Sequence, residues 1–314
     1  MRSFLPRLAI FVATAAPCLA GGCSRGNSEA PASSSGAAPS SSAVAAASSS
    51  APATPPPFPI SAASVQSVIN PDNLPVYSGP TGSVEGTITV TGPRAPDVPI
   101  DTTKCPAALD TYGKLFREGT PAAPGGPRPL ADAVVVVVGY SGFVPDKTDV
   151  QHLTIGTNCA YPSRTIAITY GQRLEISNKT SLLFAPVIDS TMTPAVMVAP
   201  PLENGEPVRV YPTRSGRFQL TDRLQIFVNE DLYVFRHPLH AVTDASGHYR
   251  IDGLPVGKLK VGVTHPAFEG GAESPVDVVA GVVQTVDLGV VYKPKAPKKP
   301  YVDPTLPPLR LRND

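Results

Sequence analysis

The side chains that could hold a soft metal or pass electrons are four cysteines, five histidines and three methionines in a chain of 314 residues. A copper centre needs imidazole nitrogen and soft sulfur converging on one point, and zinc needs three or four such ligands. Of His152, His237, His240, His248 and His265, only His237 and His240 are close in sequence. They have no third ligand beside them, so the pair reads as a junction residue and its exposed neighbour. Met192 and Met197 lie in a loop with no thiolate near them. Cys18, Cys23, Cys105 and Cys159 include no Cys-x-x-Cys spacing, which argues against a redox-active dithiol. No Gly-x-Ser-x-Gly, His-Glu-x-x-His, P-loop or dinucleotide fingerprint is present. Asp222, Glu230, Asp231 and Asp244 fall on separate strands and turns, a distribution typical of salt bridges and turn caps. The expectation is a chain that is not an enzyme and carries no cofactor. Exposed tyrosines such as Tyr161, Tyr170 and Tyr211 offer a different chemistry, stacking against sugar rings.

The elements around these residues differ sharply along the chain. Arg2 and Arg7 precede an apolar run, Leu8 to Ala20, too short to span a bilayer and broken by Pro17. Residues 1–22 therefore read as a cleaved signal peptide. The run ends Leu19-Ala20-Gly21-Gly22-Cys23, which resembles a bacterial lipobox with its branched residue one place further from the cysteine than usual. The resemblance implies an acylated Cys23, and each buried methylene then contributes about 0.8 kcal/mol of membrane affinity. Ser24, where aspartate would favour the inner membrane, points to an outer-membrane address. Residues 23–78 are rich in Ser, Ala and Pro and read as a disordered tether. Residues 293–314, with Lys and Pro repeated, read as a disordered tail. A net charge of +1 excludes a polyanion-binding class, so nucleic acid is not an expected partner. The expected partners are the membrane, through the lipid, and an envelope protein or polysaccharide.

Between Gly79 and Tyr292 apolar residues recur at period two. Val84, Ile88 and Val90 alternate with threonines, and Val134 to Val138 suits a central strand buried on both faces. Ile166 and Ile168, the turn Tyr170-Gly171-Gln172, and Leu174 and Ile176 read as a hairpin. Phe218 and Leu220, Ile226 and Val228, and Leu232 and Val234 continue the series. No long amphipathic helix is expected, and Pro106 to Phe116 allows a short one at most. Further on, Asp244 to Gly247 is a turn, Tyr249 and Ile251 share a face, and Leu259, Val261 and Val263 point inward while Lys258 and Lys260 meet water.

Ala241-Val-Thr-Asp-Ala-Ser-Gly-His-Tyr249 followed by Gly253-Leu-Pro-Val-Gly257 resembles the carboxypeptidase regulatory-like module, a small transthyretin-like β-sandwich. The block before it is similar to the plastocyanin-type, cupredoxin-like domain of methylamine-utilisation-type periplasmic proteins. The resemblance rests on Gly82-Ser-Val-Glu-Gly-Thr-Ile, Leu130-Ala-Asp-Ala-Val-Val, Asn158-Cys159-Ala-Tyr161-Pro162, Tyr170-Gly-Gln-Arg-Leu-Glu-Ile-Ser-Asn178 and His237-Pro-Leu-His240. Together they imply an all-β chain, with a Greek-key cupredoxin-like sandwich over 79–236 and the smaller sandwich over 237–292. Carried onto this sequence, the family's copper-ligand slots fall on Phe184 and Asp222 for the first histidine and the cysteine. The second histidine and methionine slots fall on Gln225 and Val228. None of the four is a copper ligand of the required kind, so the implied scaffold is emptied of copper, with a periplasmic electron carrier or a carbohydrate binder as the alternatives. The resemblance also pairs Cys105 with Cys159, which an oxidising compartment permits.

Overall fold

A computed structural model describes residues 60–146, 148–189 and 207–294. Cys23, the signal region, most of the tether, Met192, Met197 and all but the first two residues of the tail lie outside the described residues. One compact unit, Pro55–Asp314, contains everything described.

Among the described residues, period-two patterning yields sixteen strands. They are β1 Thr81–Thr91, β2 Arg128–Pro129, β3 Val134–Val138, β4 Val150–Ile155, β5 Thr165–Thr169, β6 Arg173–Asn178, β7 Pro186–Ile188 and β8 Val208–Val210. They continue as β9 Gly216–Asp222, β10 Asn229–Phe235, β11 His240–Val242, β12 His248–Pro255, β13 Gly257–Thr264, β14 Gly271–Val278, β15 Val283–Thr285 and β16 Leu288–Val291. Among the described residues the fold is all-β apart from two short α-helices, α1 Ala62–Ile69 and α2 Leu109–Tyr112, and one 3-10 turn, Pro106–Ala108. Helix α1 lies inside the stretch expected to be a structureless tether. Ser61 caps it by accepting the Ser64 N–H at 3.2 Å, and Val65, Val68 and Ile69, spaced one turn apart, pack on a core.

Two hydrophobic cores form, each between two sheets. The first lies between the sheet β5-β10-β9-β7 and the sheet β4-β6-β8, filled by Ile166, Ile168, Leu174, Ile176, Leu220 and Leu232 among others. The second lies between the sheet built on β1, with β12, β15, β16 and β2, and the sheet β11-β3-β13-β14. Val84, Ile88, Val90, Tyr249, Ile251 and Val261 meet there, with the facing expected from their alternation. Val134, Val135 and Val137 are buried in the central β3, and Val138 at its end is exposed.

The pairing does not follow the boundary drawn at 236/237. β1 pairs with β12 from Thr81 opposite Pro255 to Thr87 opposite His248, and runs parallel to β16. β3 lies between β11 and β13. Strands β1 to β3 therefore complete the sandwich of the C-terminal strands, a frame, and β4 to β10 form a second sandwich inserted into it. Alternation shows that a strand has an inner face; it does not choose a partner 160 residues away, which is why the sequence reading grouped β1 to β3 with their neighbours along the chain.

The expected hairpin at Tyr170-Gly171-Gln172 is a corner instead. β5 pairs in parallel with β10, while β6 pairs with β4 and β8 in the opposite sheet. Gly171, at φ 106°, turns the chain between sheets, so both strands bury their inward residues in one core from opposite sides. Ile226 is not a strand residue either: it is 81% exposed in the β9–β10 connection.

Candidate functional site

The residues in the copper-ligand slots do come together at one end of the inserted sandwich. Phe184 lies just before β7, Asp222 ends β9, and Gln225 and Val228 follow in the β9–β10 connection. All four are buried, Phe184 completely. Their polar atoms are spent on backbone. Asp222 Oδ2 accepts the Ala185 N–H at 2.6 Å, and Oδ1 accepts those of Leu224 and Gln225 at 2.9 and 2.8 Å. Gln225 Nε2 donates to the Leu183 carbonyl at 2.8 Å, and the Val228 N–H donates to the Gln225 carbonyl at 2.9 Å. Burial lifts the Asp222 carboxyl above the usual carboxylate value, and the three N–H donors oppose that rise without cancelling it. Type-one copper does not fit this set: there is no thiolate and no imidazole, and the carboxylate and amide already hold one loop against the next. Among the described residues no three His, Cys, Asp or Glu side chains are grouped to hold a metal ion. Replacing Asp222 by alanine leaves three N–H groups without their acceptor, and a loss of about 2–3 kcal/mol in urea unfolding is expected; an unchanged midpoint would show that the loop does not depend on this lock.

Comparisons with solved structures return copper proteins. Two are amicyanin mutants, one described as a copper(I) form and one as reduced. They are 14% and 13% identical over 32% of this chain and 97% of theirs, with TM-scores of 0.23 and 0.24. A copper-containing nitrite reductase from Thermus scotoductus SA-01 is 18% identical over 45% of this chain and 28% of its own, with a TM-score of 0.23. No protein-family model matches the chain. No curated protein matches it in sequence.

Beneath the slots lies a buried polar group that the motifs did not indicate. Glu230 is fully buried on β10, at the same inward parity as Leu232 and Val234. Tyr112 donates its hydroxyl to Glu230 Oε1, while Oε2 and the Tyr161 hydroxyl are sealed from solvent without partners. Burial pushes the Glu230 carboxyl well above its ordinary value, against the opposing pull of the Tyr112 hydrogen bond and Arg164, and it pushes both tyrosine hydroxyls up as well. A carboxyl whose folded pKa is raised binds its proton more tightly in the native state, so stability falls as pH rises above the unfolded value near 4.3. Glu230→Gln keeps an acceptor for Tyr112 and removes that penalty. The variant is expected to unfold at higher urea than the parent at pH 8, with the gap narrowing towards pH 5; a gap independent of pH would mean that Glu230 does not titrate.

The other expected residues separate. Cys105, before α2, is bonded to Cys159, with Cα atoms 6.4 Å apart. His237 and His240 both contact the ring of Phe235, and His240 is half-buried rather than exposed. Burial lowers both imidazoles, His240 to about 4, and His240 Nε2 lies 3.4 Å from the Thr169 hydroxyl. His152 and His248 are exposed, and His265 is buried elsewhere. Tyr161 and Tyr170 are buried, with no ring face open to a sugar, and Tyr211 is half-buried.

A polar junction between the sandwiches centres on Asp132, between β2 and β3 of the frame. Its backbone is left-handed at φ 63°. Oδ2 accepts Arg117 Nε at 2.7 Å, and Oδ1 accepts the Ser163 hydroxyl at 2.7 Å and the Arg164 N–H at 3.0 Å. Burial alone would raise this carboxyl; Arg117, Ser163 and Arg164 outweigh it and hold it below the usual value.

Proposed function

We propose that this chain is an envelope lipoprotein, anchored through Cys23, whose inserted sandwich works without copper in binding or envelope structure. The observation that carries the copper-free reading is the use of Asp222 and Gln225 as backbone locks in the positions where a copper site would need thiolate and imidazole. The lipobox-like Leu19-Ala-Gly-Gly-Cys23 and the Ser/Ala/Pro stretch behind it support the anchor, and Ser24 supports an outer-membrane address. The envelope partner is a protein or a polysaccharide, and no reaction is assigned.

Two measurements test the reading. Titrating copper into the purified chain should give no intense visible thiolate-to-copper band; such a band would restore the electron-carrier alternative. Cells fed labelled fatty acid should label the parent chain and not Cys23→Ala, and a parent chain that stays soluble and unlabelled would remove the anchor.

A further inference from the structure

Four segments close one pole of the frame. Residues 74–80 lead into β1, 138–145 end and follow β3, 255–257 join β12 to β13, and 279–283 run from β14 into β15. They contain no Asp, Glu, Lys, Arg or His, in a chain of which 16% is charged. They hold instead half of the large apolar side chains that are exposed among the described residues: Val76, Val138, Val256, Val279, Val282 and Val283, each 36–60% exposed. Backbone bonds tie the segments into one surface. The Tyr77 N–H donates to the Phe143 carbonyl at 2.7 Å, Val256 to Pro80 at 3.4 Å, and Gly281 to Thr81 at 2.9 Å. The Tyr77 hydroxyl adds a bond to the Pro80 carbonyl at 2.7 Å. At the opposite pole, where β1 ends and β3 and β12 begin, the chain places Arg94, Arg128, Asp132 and Asp244. An apolar surface gathered at one end of a molecule marks a contact with something else.

The course of the chain identifies what that is. Coming from Cys23, it enters the described structure at α1, whose Val65 lies against Gly171 at the corner of the insert. That corner adjoins the uncharged pole. The Tyr170 N–H donates to the Phe235 carbonyl at 2.7 Å, the Phe235 ring meets His237, and His237 meets Tyr140 of the 138–145 segment. From α1 the chain crosses the pole in 74–80, whereas β16 ends at the far pole beside Thr91, so the tail leaves from the other end. There are 37 residues from Cys23 to Pro59, and a coil of that length spans about 30–40 Å root-mean-square. An acylated Cys23 therefore holds the uncharged pole at an effective concentration of about millimolar beside the membrane, where a weak surface is enough. No carboxylate in the four segments repels lipid phosphates, and the half-buried Tyr77 and Tyr140 are rings of the kind that settle at a bilayer interface.

We propose that this pole rests on the lipid surface, with Val76, Val256, Val279 and Val282 at the boundary of headgroups and acyl chains and the charged pole turned away. The choice of occupant rests on the anchor proposed above. The chain has no tryptophan, so a single introduced one reports its own position. Val282→Trp, and Ile226→Trp at the far end of the insert, are each made in the full chain. Each is mixed with vesicles of phosphatidylethanolamine and phosphatidylglycerol, with and without bromine on the acyl chains. Tryptophan at 282 should emit at shorter wavelength on vesicles and be quenched by the brominated lipid, and tryptophan at 226 should do neither. Adding Val76→Asp and Val279→Asp to Val282→Trp should abolish the quenching, with the melting temperature in the absence of vesicles unchanged. No quenching at 282, equal quenching at both positions, or quenching that survives both aspartates overturns the proposal. A wavelength shift at 282 that grows with protein concentration and needs no lipid would assign the pole to a second copy of the chain and overturns it as well. An unlabelled chain in the fatty-acid experiment that is still quenched at 282 alone removes the anchor and keeps the lipid contact, and a labelled chain without quenching does the reverse.

Discussion

Asp132→Ala should lower the unfolding free energy by about 3–5 kcal/mol, the cost of removing one partner from a buried ion pair. Arg117 would be left with no carboxylate, and the Ser163 hydroxyl and Arg164 N–H would lose their acceptor. The effect carries a pH signature. The folded carboxyl is held below its unfolded value, so its contribution is fully present above about pH 4, near the unfolded pKa of aspartate. It is lost as pH falls through the lower folded value. Urea unfolding of parent and variant between pH 7 and pH 2.5 should therefore converge at the acid end. Other carboxyls here are also held low, Glu175, Asp101 and Asp244 among them, so the parent alone will not show the effect; the difference between the two curves isolates Asp132. A difference that stays constant with pH would mean that the side chain matters for its shape and not for its charge. Because Asp132 binds across the junction, loss of a single cooperative transition in the variant is a second expected result, with the two sandwiches unfolding apart.

Removing the disulfide should cost about 4 kcal/mol, given a separation of 54 residues between Cys105 and Cys159 in the chain-entropy account. The bond joins the stretch before α2 to the loop between β4 and β5, and so fixes the position of Tyr112, which closes the first core over Glu230. The double variant Cys105→Ala/Cys159→Ala, compared with the parent in the presence and absence of reductant, checks this. Reduced parent and double variant should share one lowered urea midpoint. A parent indifferent to reductant, with the bond shown to be open, would refute the expectation. Since the bond acts mainly on the unfolded chain, the spectrum of the native double variant should stay close to the parent's below its midpoint.

Local features were legible from residue order alone. The alternation of β1 and β13, the Asp244 turn, closed by Asp244 Oδ1 on the Ser246 and His248 N–H groups, and the inward pair Tyr249 and Ile251 all follow from side-chain period and turn chemistry. Partnering was not legible. β5 and β6 looked like a hairpin because three residues separate them, but each satisfies its edge in a different sheet. Helix α1 was hidden by the Ser/Ala background of the tether, although Ser61 followed by Val65, Val68 and Ile69 is a capped apolar stripe when read at helical spacing. At the candidate site, Phe184, Asp222, Gln225 and Val228 were singled out only through a family resemblance, and nothing in residue order signalled the locking role of the Asp222 carboxylate. Glu230 carried an available signal: a carboxylate at the inward parity of Leu232 and Val234 can only be buried.

The frame also sets an order on synthesis. Gly86 has no strand partner across β12 until Tyr249, 163 positions further along, has been made. At the usual 5–20 residues per second, β1 waits roughly 10 to 30 s with an unpaired edge and the apolar face of Val84, Ile88 and Val90 uncovered. The insert has all of its strands by Phe235 and can close first. The two chain ends of the insert meet the frame on adjacent strands, with Val136 of β3 opposite His240 of β11. A closed insert would thus bring β3 and β11 together and present a template on which the late strands β12 to β16 could assemble. The stretch of chain that looks like an interruption of the frame would then be what shortens its search.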